Sequence, residues 1–439
     1  MTTAIPHLAG NFAPVADEIT ATDLPVTGAI PAELSGWYLR NGPNPHAAAS
    51  AHWFLGDGMV HGIRVDNGRA VSYRNRWVRT STFTDDAVRY REDGTKDYAA
   101  GVANTHVIRH AGHTLALVES SLPYELTPNL DTVGPYDFDG ALRTNMTAHP
   151  KTCPTTGELH FFGYEVTNPP YLTYHRAAAD GTLLLSRPID VPAPTMHHDF
   201  HLTAEHVIFM DLPVVFDLPT AMRGGGMPFR WRDDYAARLG VLRRDDPHGE
   251  IRWFAIDPCY VFHALNAFDE PAAEGSARIV LYVMRYPELW RADGQVDLDA
   301  TLWRWTIDLA AGVVAEEQID DRAGEFPRID DRLAGIDSRF GHVSTRGDAG
   351  ALIRYDLHTG TSSAYEFGGG RVPEEASFVP ADGRPGGDGY LVSYVYDPAA
   401  DRSDLVILAS NDLPAGPVAT IALPRRVPHG FHGNWLADE

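Results

Sequence analysis

Four histidines stand in short, distinctive contexts spread along most of this 439-residue chain. They are His149 in Ala-His-Pro-Lys, His198 in Met-His-His-Asp-Phe, His263 in Val-Phe-His-Ala-Leu-Asn-Ala-Phe and His432 in Gly-Phe-His-Gly-Asn-Trp. Neutral imidazole is the commonest protein ligand for borderline transition metals. The spacings are 49, 65 and 169 residues, which match no short zinc motif such as His-Glu-x-x-His. Such distant side chains meet only if the fold returns repeatedly to one axis. With 20 histidines in the chain, spacing alone is a weak sign, and His197 and His429 lie close enough to be confused with the two they flank.

The elements that would position them read as β-hairpins. Alternating apolar runs lead to Asp or Asn with a nearby Gly, and a second alternating run follows. Ile63–Tyr73, Trp305–Val314 and Ile353–Tyr365 are clear cases. The stretches at Ala179-Asp-Gly-Thr-Leu-Leu-Leu and Thr156-Gly-Glu-Leu-His-Phe-Phe are looser ones. Helical periodicity is scarce, and its best candidate is the short Asp234–Leu239 stretch. Arg223-Gly-Gly-Gly-Met-Pro and Gly383-Arg-Pro-Gly-Gly-Asp-Gly read as loops. Many short strands over this length predict an all-β propeller, one domain over residues 1–439 with no internal linker. Two of the histidine steps are about one blade of roughly 40–50 residues long, allowing for insertions. Inner strands line a propeller axis, so a histidine on each of four of them would converge there.

Bulk composition excludes several classes. The apolar share of 44% is enough for a sizeable core, and the formal net charge of −23 opposes binding to nucleic acid and anionic lipid. No Lys/Arg run exceeds two residues, and the only lysines are Lys96 and Lys151. Two cysteines, Cys153 and Cys259, make no disulfide framework. The first basic residue is Arg40, and no apolar run approaches the ~20 residues of a membrane span. The expectation is a cytoplasmic protein that touches a membrane from one side at most. Gly56-Asp-Gly lacks the helix a dinucleotide site needs, and no nucleophile elbow or phosphate loop is present.

The flanking motifs add a resemblance. Tyr38-Leu-Arg-Asn-Gly-Pro-Asn-Pro, His52-Trp-Phe-Leu-Gly-Asp-Gly-Met-Val-His-Gly, Ala103-Asn-Thr, Leu115-Ala-Leu-Val-Glu and Pro123-Tyr-Glu-Leu occur in order. Ala148-His-Pro-Lys, His198-Asp-Phe, Phe262-His-Ala-Leu-Asn-Ala-Phe and Glu325-Phe-Pro-Arg-Ile-Asp follow, then Asp388-Gly-Tyr-Leu-Val-Ser, Ser403-Asp-Leu-Val-Ile-Leu and Gly430-Phe-His-Gly. Nearly end to end, the chain resembles the carotenoid cleavage oxygenase family. One departure is Gly386-Gly387-Asp388, where many relatives carry an acidic pair before Asp-Gly-Tyr.

The resemblance implies a seven-bladed β-propeller, with inserted loops and short helices capping one face. It implies one non-haem Fe(II) per chain, held by His149, His198, His263 and His432, with O₂ as co-substrate. Glu119, Glu325 and Glu375 match glutamates that orient the ligand rings; adjacent Glu374 is a competitor for the last role. A ligating imidazole commonly donates its other N–H to a carboxylate, which sets its tautomer, and buried carboxylates offset the metal's charge. Thr105, fourteen residues before Glu119, matches a residue that crowds one open iron position; otherwise it is a locally bonded hairpin threonine. His61, Arg40 and Asn41 read as structural, and Asp57 and Gly58 as a turn. Val118, Met196, Phe262 and Phe326, close to the matched histidines and glutamates, with Phe54 from the second quoted motif, make an apolar, aromatic cavity wall, or else pack between blades.

The reaction so implied is scission of a conjugated C=C bond of a carotenoid or apocarotenoid into two carbonyl compounds, with no separate reductant. An alternative is cleavage of a stilbene or phenylpropene. Relatives of that branch tend to carry a lysine where this chain has Val118. A third reading, from another class, is a propeller that binds or isomerises a ligand without cleaving it. The partner is an apolar small molecule, not nucleic acid, and the chain is expected to act as a monomer. The stretches Val214–Met222 and Met227–Trp231 are the candidates for peripheral membrane contact, or for a lid between blades.

Overall fold

The computed structural model describes residues 6–47, 50–93, 95–223, 226–270, 277–291, 299–345 and 350–438. Gly224 and Gly225 of the first predicted loop lie outside the described residues. Among the described residues there are seven antiparallel sheets of four or more strands, with one extra two-stranded ribbon, Val214–Phe216 with Phe229–Trp231. In most of these sheets, consecutive strands pair in chain order, as a propeller blade requires.

The hairpin readings correspond to observed ladders. Gly58–Asp66 pairs with Arg69–Trp77, Thr301–Asp308 with Val313–Gln318, and Ala351–Asp356 with Thr361–Glu366. Burial follows position within a sheet. The second strands Leu159–Tyr164 and His206–Asp211 are buried at every residue, whereas the fourth strand Val313–Gln318 has no buried residue. A middle strand covered on both faces loses the alternation that a half-exposed strand keeps.

Asp234–Leu239 is not a helix. Residues 232–237 form a turn and coil, and Arg238–Arg243 is a strand between His206–Asp211 and Arg252–Ala255. The ladder wins because Leu239, Val241 and Leu242 are buried in this sheet, and a lone helical turn has no comparable partner. The α-helices among the described residues are Ser81–Thr84 and Leu218–Arg223.

The chain divides into two compact units, residues 1–146 with 342–356 and 361–439, and residues 147–341 with 357–360. In the first, both chain ends enter sheets begun elsewhere. Gly433–Ala437 pairs with Gly36–Pro43, and Val26–Gly28 pairs with Pro417–Ala422. Such exchange is how a propeller ties its last blade to its first. An apolar cluster of Leu39, Val60, Val107, Ala116, Tyr124 and Leu436 packs two of these sheets together, each large side chain contributing about 1.5–3 kcal/mol of burial. In the second unit, three four-stranded sheets begin at Lys151, Phe200 and Tyr260.

Candidate metal centre

The expected residues take comparable places in their sheets. In each of the seven sheets one of them lies just before, or within the first few residues of, an edge strand. These residues are Thr105, His149, His198, His263, Glu325, Glu375 and His432, ahead of or inside the strands starting at His106, Lys151, Phe200, Tyr260, Glu325, Ser377 and Gly433. His263 sits in an irregular stretch of its ladder, between Val261 and Ala264, where the register shifts. Bulges of this kind re-aim side chains.

In the second unit, His149, His198 and His263 come together. One ring nitrogen from each lies within 4.8 Å of the others, and Nε2 of His149 is 3.0 Å from Nε2 of His198. A metal–imidazole bond of about 2.1 Å taken twice at a right angle gives a separation of about 3.0 Å, so these two nitrogens have the spacing that adjacent ligands of one ion would need. The donor set of neutral imidazoles suits iron, zinc, copper or nickel. The residues present therefore fit a bound transition metal.

Glu325 fixes the third ring. Its Oε2 accepts from Nδ1 of His263 at 2.6 Å and from the Phe326 N–H at 2.8 Å. Phe326 then packs its ring against His263, with centroids 5.1 Å apart and the planes inclined by 29°. Its backbone has φ +55°, a left-handed conformation that is uncommon for a bulky residue and indicates a structural demand. Phe262 meets His198 edge-on at 5.0 Å and packs against Tyr260, Tyr286 and Trp290. The wall of the three-histidine cluster is thus aromatic, and Met196 is buried nearby, its carbonyl bonded to the Tyr260 hydroxyl.

Neighbouring histidine His197 is engaged elsewhere. Its Nε2 contacts Thr195 Oγ1 at 2.9 Å, and Thr195 donates to Asp211. Burial holds its pKa below the ordinary value, so it stays neutral. His201 is also buried and neutral, its pKa pushed down to about 3 by burial.

The first unit holds the remaining candidates. His432 Nδ1 lies 3.0 Å from Glu375 Oε1, while Oε2 of the same carboxylate accepts the Gly433 N–H at 2.7 Å. Glu374 instead takes His429 Nδ1. The backbone of this segment is held by Asn41 and Thr105, whose carbonyls accept the N–H groups of Phe431 and His432. Arg40 donates to the Pro428 carbonyl, and a Cβ at Gly430 would overlap the Arg40 guanidinium, so this position needs glycine. His61 bonds the Tyr73 hydroxyl, in keeping with a structural reading. Thr105 donates its hydroxyl to Asn104 Oδ1 at 2.9 Å. Glu119 accepts at its backbone carbonyl from Asn145. Val118 is buried, and Phe54 meets Phe431 edge-on at 5.5 Å beside Trp53.

The match to known proteins is extensive. Residues 12–437 match the family model described as retinal pigment epithelial membrane protein. A carotenoid cleavage oxygenase of Mycobacterium tuberculosis is 40% identical over 98% of this chain and 97% of its own. The chain belongs to the carotenoid cleavage oxygenase family. Among solved structures, the lignostilbene dioxygenase of Pseudomonas brassicacearum is 32% identical with a TM-score of 0.87, covering 99% of both chains. The apocarotenoid oxygenase of Synechocystis, as a tryptophan-to-alanine mutant, is 27% identical with a TM-score of 0.85, covering 97% of both. The fold of this oxygenase is therefore the seven-bladed β-propeller, its seven sheets being the blades.

Two residues at the site escaped the sequence reading. Lys151 and Asp199 both stood inside the quoted motifs, two residues after His149 and one after His198. Their opposite charges, so close to two candidate ligands in an otherwise lysine-poor chain, were the available signal.

Proposed function

We propose that this family member is an Fe(II)-dependent dioxygenase that splits a conjugated C=C bond of a carotenoid or apocarotenoid, using O₂, into two aldehyde or ketone products. The observation that carries the reading is the cluster of His149, His198 and His263 with Glu325 behind it, inside an aromatic wall. His432, backed by Glu375 in the same manner, is proposed as the fourth ligand, and Glu119 as a further orienting carboxylate. Iron, when bound, supplies a route by which triplet O₂ can react with a closed-shell alkene. Both oxygen atoms enter the products, one at each carbon of the broken bond, so no reductant is consumed.

The chain's own residues then have three tasks. Glu325 and Glu375 hold the Nδ1–H of His263 and His432 and leave Nε2 to ligate. Phe262 and Phe326, with Met196, Val118 and Phe54 proposed alongside them, offer apolar surface to a polyene and keep water from the site. Thr105 is proposed to restrict access to one open metal position. Val118 supplies no cation for a phenolic oxygen, which favours the polyene over an aryl alkene; the likeness to a lignostilbene dioxygenase keeps the aryl alkene as the second reading.

Iron-loaded protein incubated under O₂ with an apocarotenal and, separately, with a hydroxystilbene tests both. Aldehydes from the first support the proposal, aldehydes only from the second support the alternative, and products from neither reject both. Among the described residues no helix is long and apolar enough to cross a membrane. Leu218 and Met222, 56% and 80% exposed, give the short helix an apolar outer face. We place peripheral bilayer contact there for an otherwise cytoplasmic monomer; unchanged co-sedimentation of Met222→Glu with neutral vesicles would remove that contact.

A further inference from the structure

One buried ion pair joins the three segments that carry the histidine cluster. Lys151 Nζ lies 2.8 Å from Asp199 Oδ1, the aspartate side chain being 2% exposed and the lysine 24%. Asp199 directly follows His198, and Lys151 lies two residues beyond His149. The other aspartate oxygen, Oδ2, accepts the N–H of Ala264, the residue after His263, at 2.8 Å. Oδ1 also accepts the Phe200 N–H at 2.8 Å, and the lysine ammonium sits over the Phe200 ring, 6.0 Å from its centre. A single carboxylate thus touches the first strands of three sheets, each within two residues of a clustered histidine.

With the Lys151 ammonium 2.8 Å from a buried carboxylate, the two side chains form an ion pair. Buried ion pairs are poor sources of stability, since desolvation offsets most of the attraction, and apolar replacements often do as well. Their geometric demand is what distinguishes them. Metal sites tolerate ligand displacements of only about 0.5 Å, and three imidazoles from three sheets have no covalent tie closer than a whole blade.

We infer that Asp199 and Lys151 are positioning residues for the metal, a strut that sets the mutual placement of His149, His198 and His263. The inference rests on the reading of these three as ligands. It differs in kind from the part played by Glu325, which acts on a ring. The strut acts on backbone and, being a neutral pair, leaves the net charge of the site unchanged.

Cobalt(II) titration with visible absorption reads both affinity and ligand geometry without turnover. Asp199→Asn and Lys151→Met should each bind cobalt about 10–100-fold more weakly and shift its ligand-field bands, while Lys151→Arg should keep the bands in place. The control is Asp269→Asn. Asp269 likewise bonds three partners of the second unit, His206 at 2.7 Å, Thr203 and the Glu205 N–H, so its loss should lower stability and leave the bands unmoved. If Asp199→Asn fails to fold, Lys151→Met, altered at a side chain that reaches solvent, carries the same test. Wild-type protein that takes up no cobalt would sink the metal reading itself. Wild-type uptake with Asp199→Asn and Lys151→Met indistinguishable from Asp269→Asn would sink the strut alone.

Discussion

The Glu325 carboxylate and Nδ1 of His263 are 2.6 Å apart. An ionised carboxylate can only accept, so the proton sits on Nδ1 and the lone pair on Nε2. His432 and Glu375 repeat the arrangement at 3.0 Å. Glu325→Gln keeps the shape but removes the charge and offers an amide N–H to the ring, which favours the wrong tautomer. Its metal affinity should fall about 10–100-fold, with a melting temperature close to wild type. Equilibrium metal titration checks this, and an affinity within twofold of wild type would contradict it.

Two pairs of histidines close in sequence, His197 with His198 and His429 with His432, give an internal comparison. His198→Ala and His432→Ala should purify with strongly reduced iron, as should His263→Ala. His197→Ala and His429→Ala should keep their iron, because those rings are bonded to Thr195 and Glu374. Metal analysis of the five proteins decides it, and full occupancy in His263→Ala would show that the assignment is wrong.

What was legible in the sequence divides along physical lines. Hairpins such as Gly58–Trp77 are local, set by a turn residue and alternation on either side, and they were read correctly. Asp234–Leu239 was misread because its short apolar spacing fits a helical turn as well as the start of a strand, and only the neighbouring strands His206–Asp211 and Arg252–Ala255 decide between them. The clustering of His149, His198 and His263 depends on contacts between residues 49 and more apart, which no local pattern encodes; family motifs carried that expectation. The Asp199–Ala264 contact is of the same long-range kind, so Asp199 passed as part of a motif without a task.

Phe326 offers a test of backbone strain at the site. At φ +55° a Cβ is penalised by about 1–2 kcal/mol. Phe326→Ala and Phe326→Gly both remove the ring that stacks on His263, but only glycine relieves the backbone. The glycine variant should therefore be the more stable by about 1 kcal/mol, the reverse of the usual order in regular structure. Urea unfolding of the two proteins measures the difference, and an alanine variant more stable than the glycine one would remove the strain argument.

Acid should destabilise the second unit through its buried neutral histidines. Burial lowers His175 from 6.5 to about 4 and His160 to about 3. For each, the unfolded chain binds the proton more readily than the folded one. Their stabilisation is complete above pH 6.5 and is lost as pH falls from there toward the folded values. The loss is at most about 1.4 kcal/mol per pH unit for each ring. His175 contacts Ser186 through Nδ1 at 2.9 Å and stacks on Phe161. Replacing it with glutamine should flatten the decline in urea midpoint between pH 7 and pH 5, and a slope equal to wild type would show that His175 is not one of the groups responsible.

The most direct test of the central claim is product analysis under ¹⁸O₂. Iron-loaded wild-type protein given an apocarotenal should yield two shorter carbonyl compounds, each carrying one labelled oxygen when trapped before exchange with water, and His263→Ala should yield neither. Recovery of the substrate intact or merely isomerised by the iron-loaded wild type, with the hydroxystilbene also uncut, would contradict the assignment of this chain as an alkene-cleaving dioxygenase.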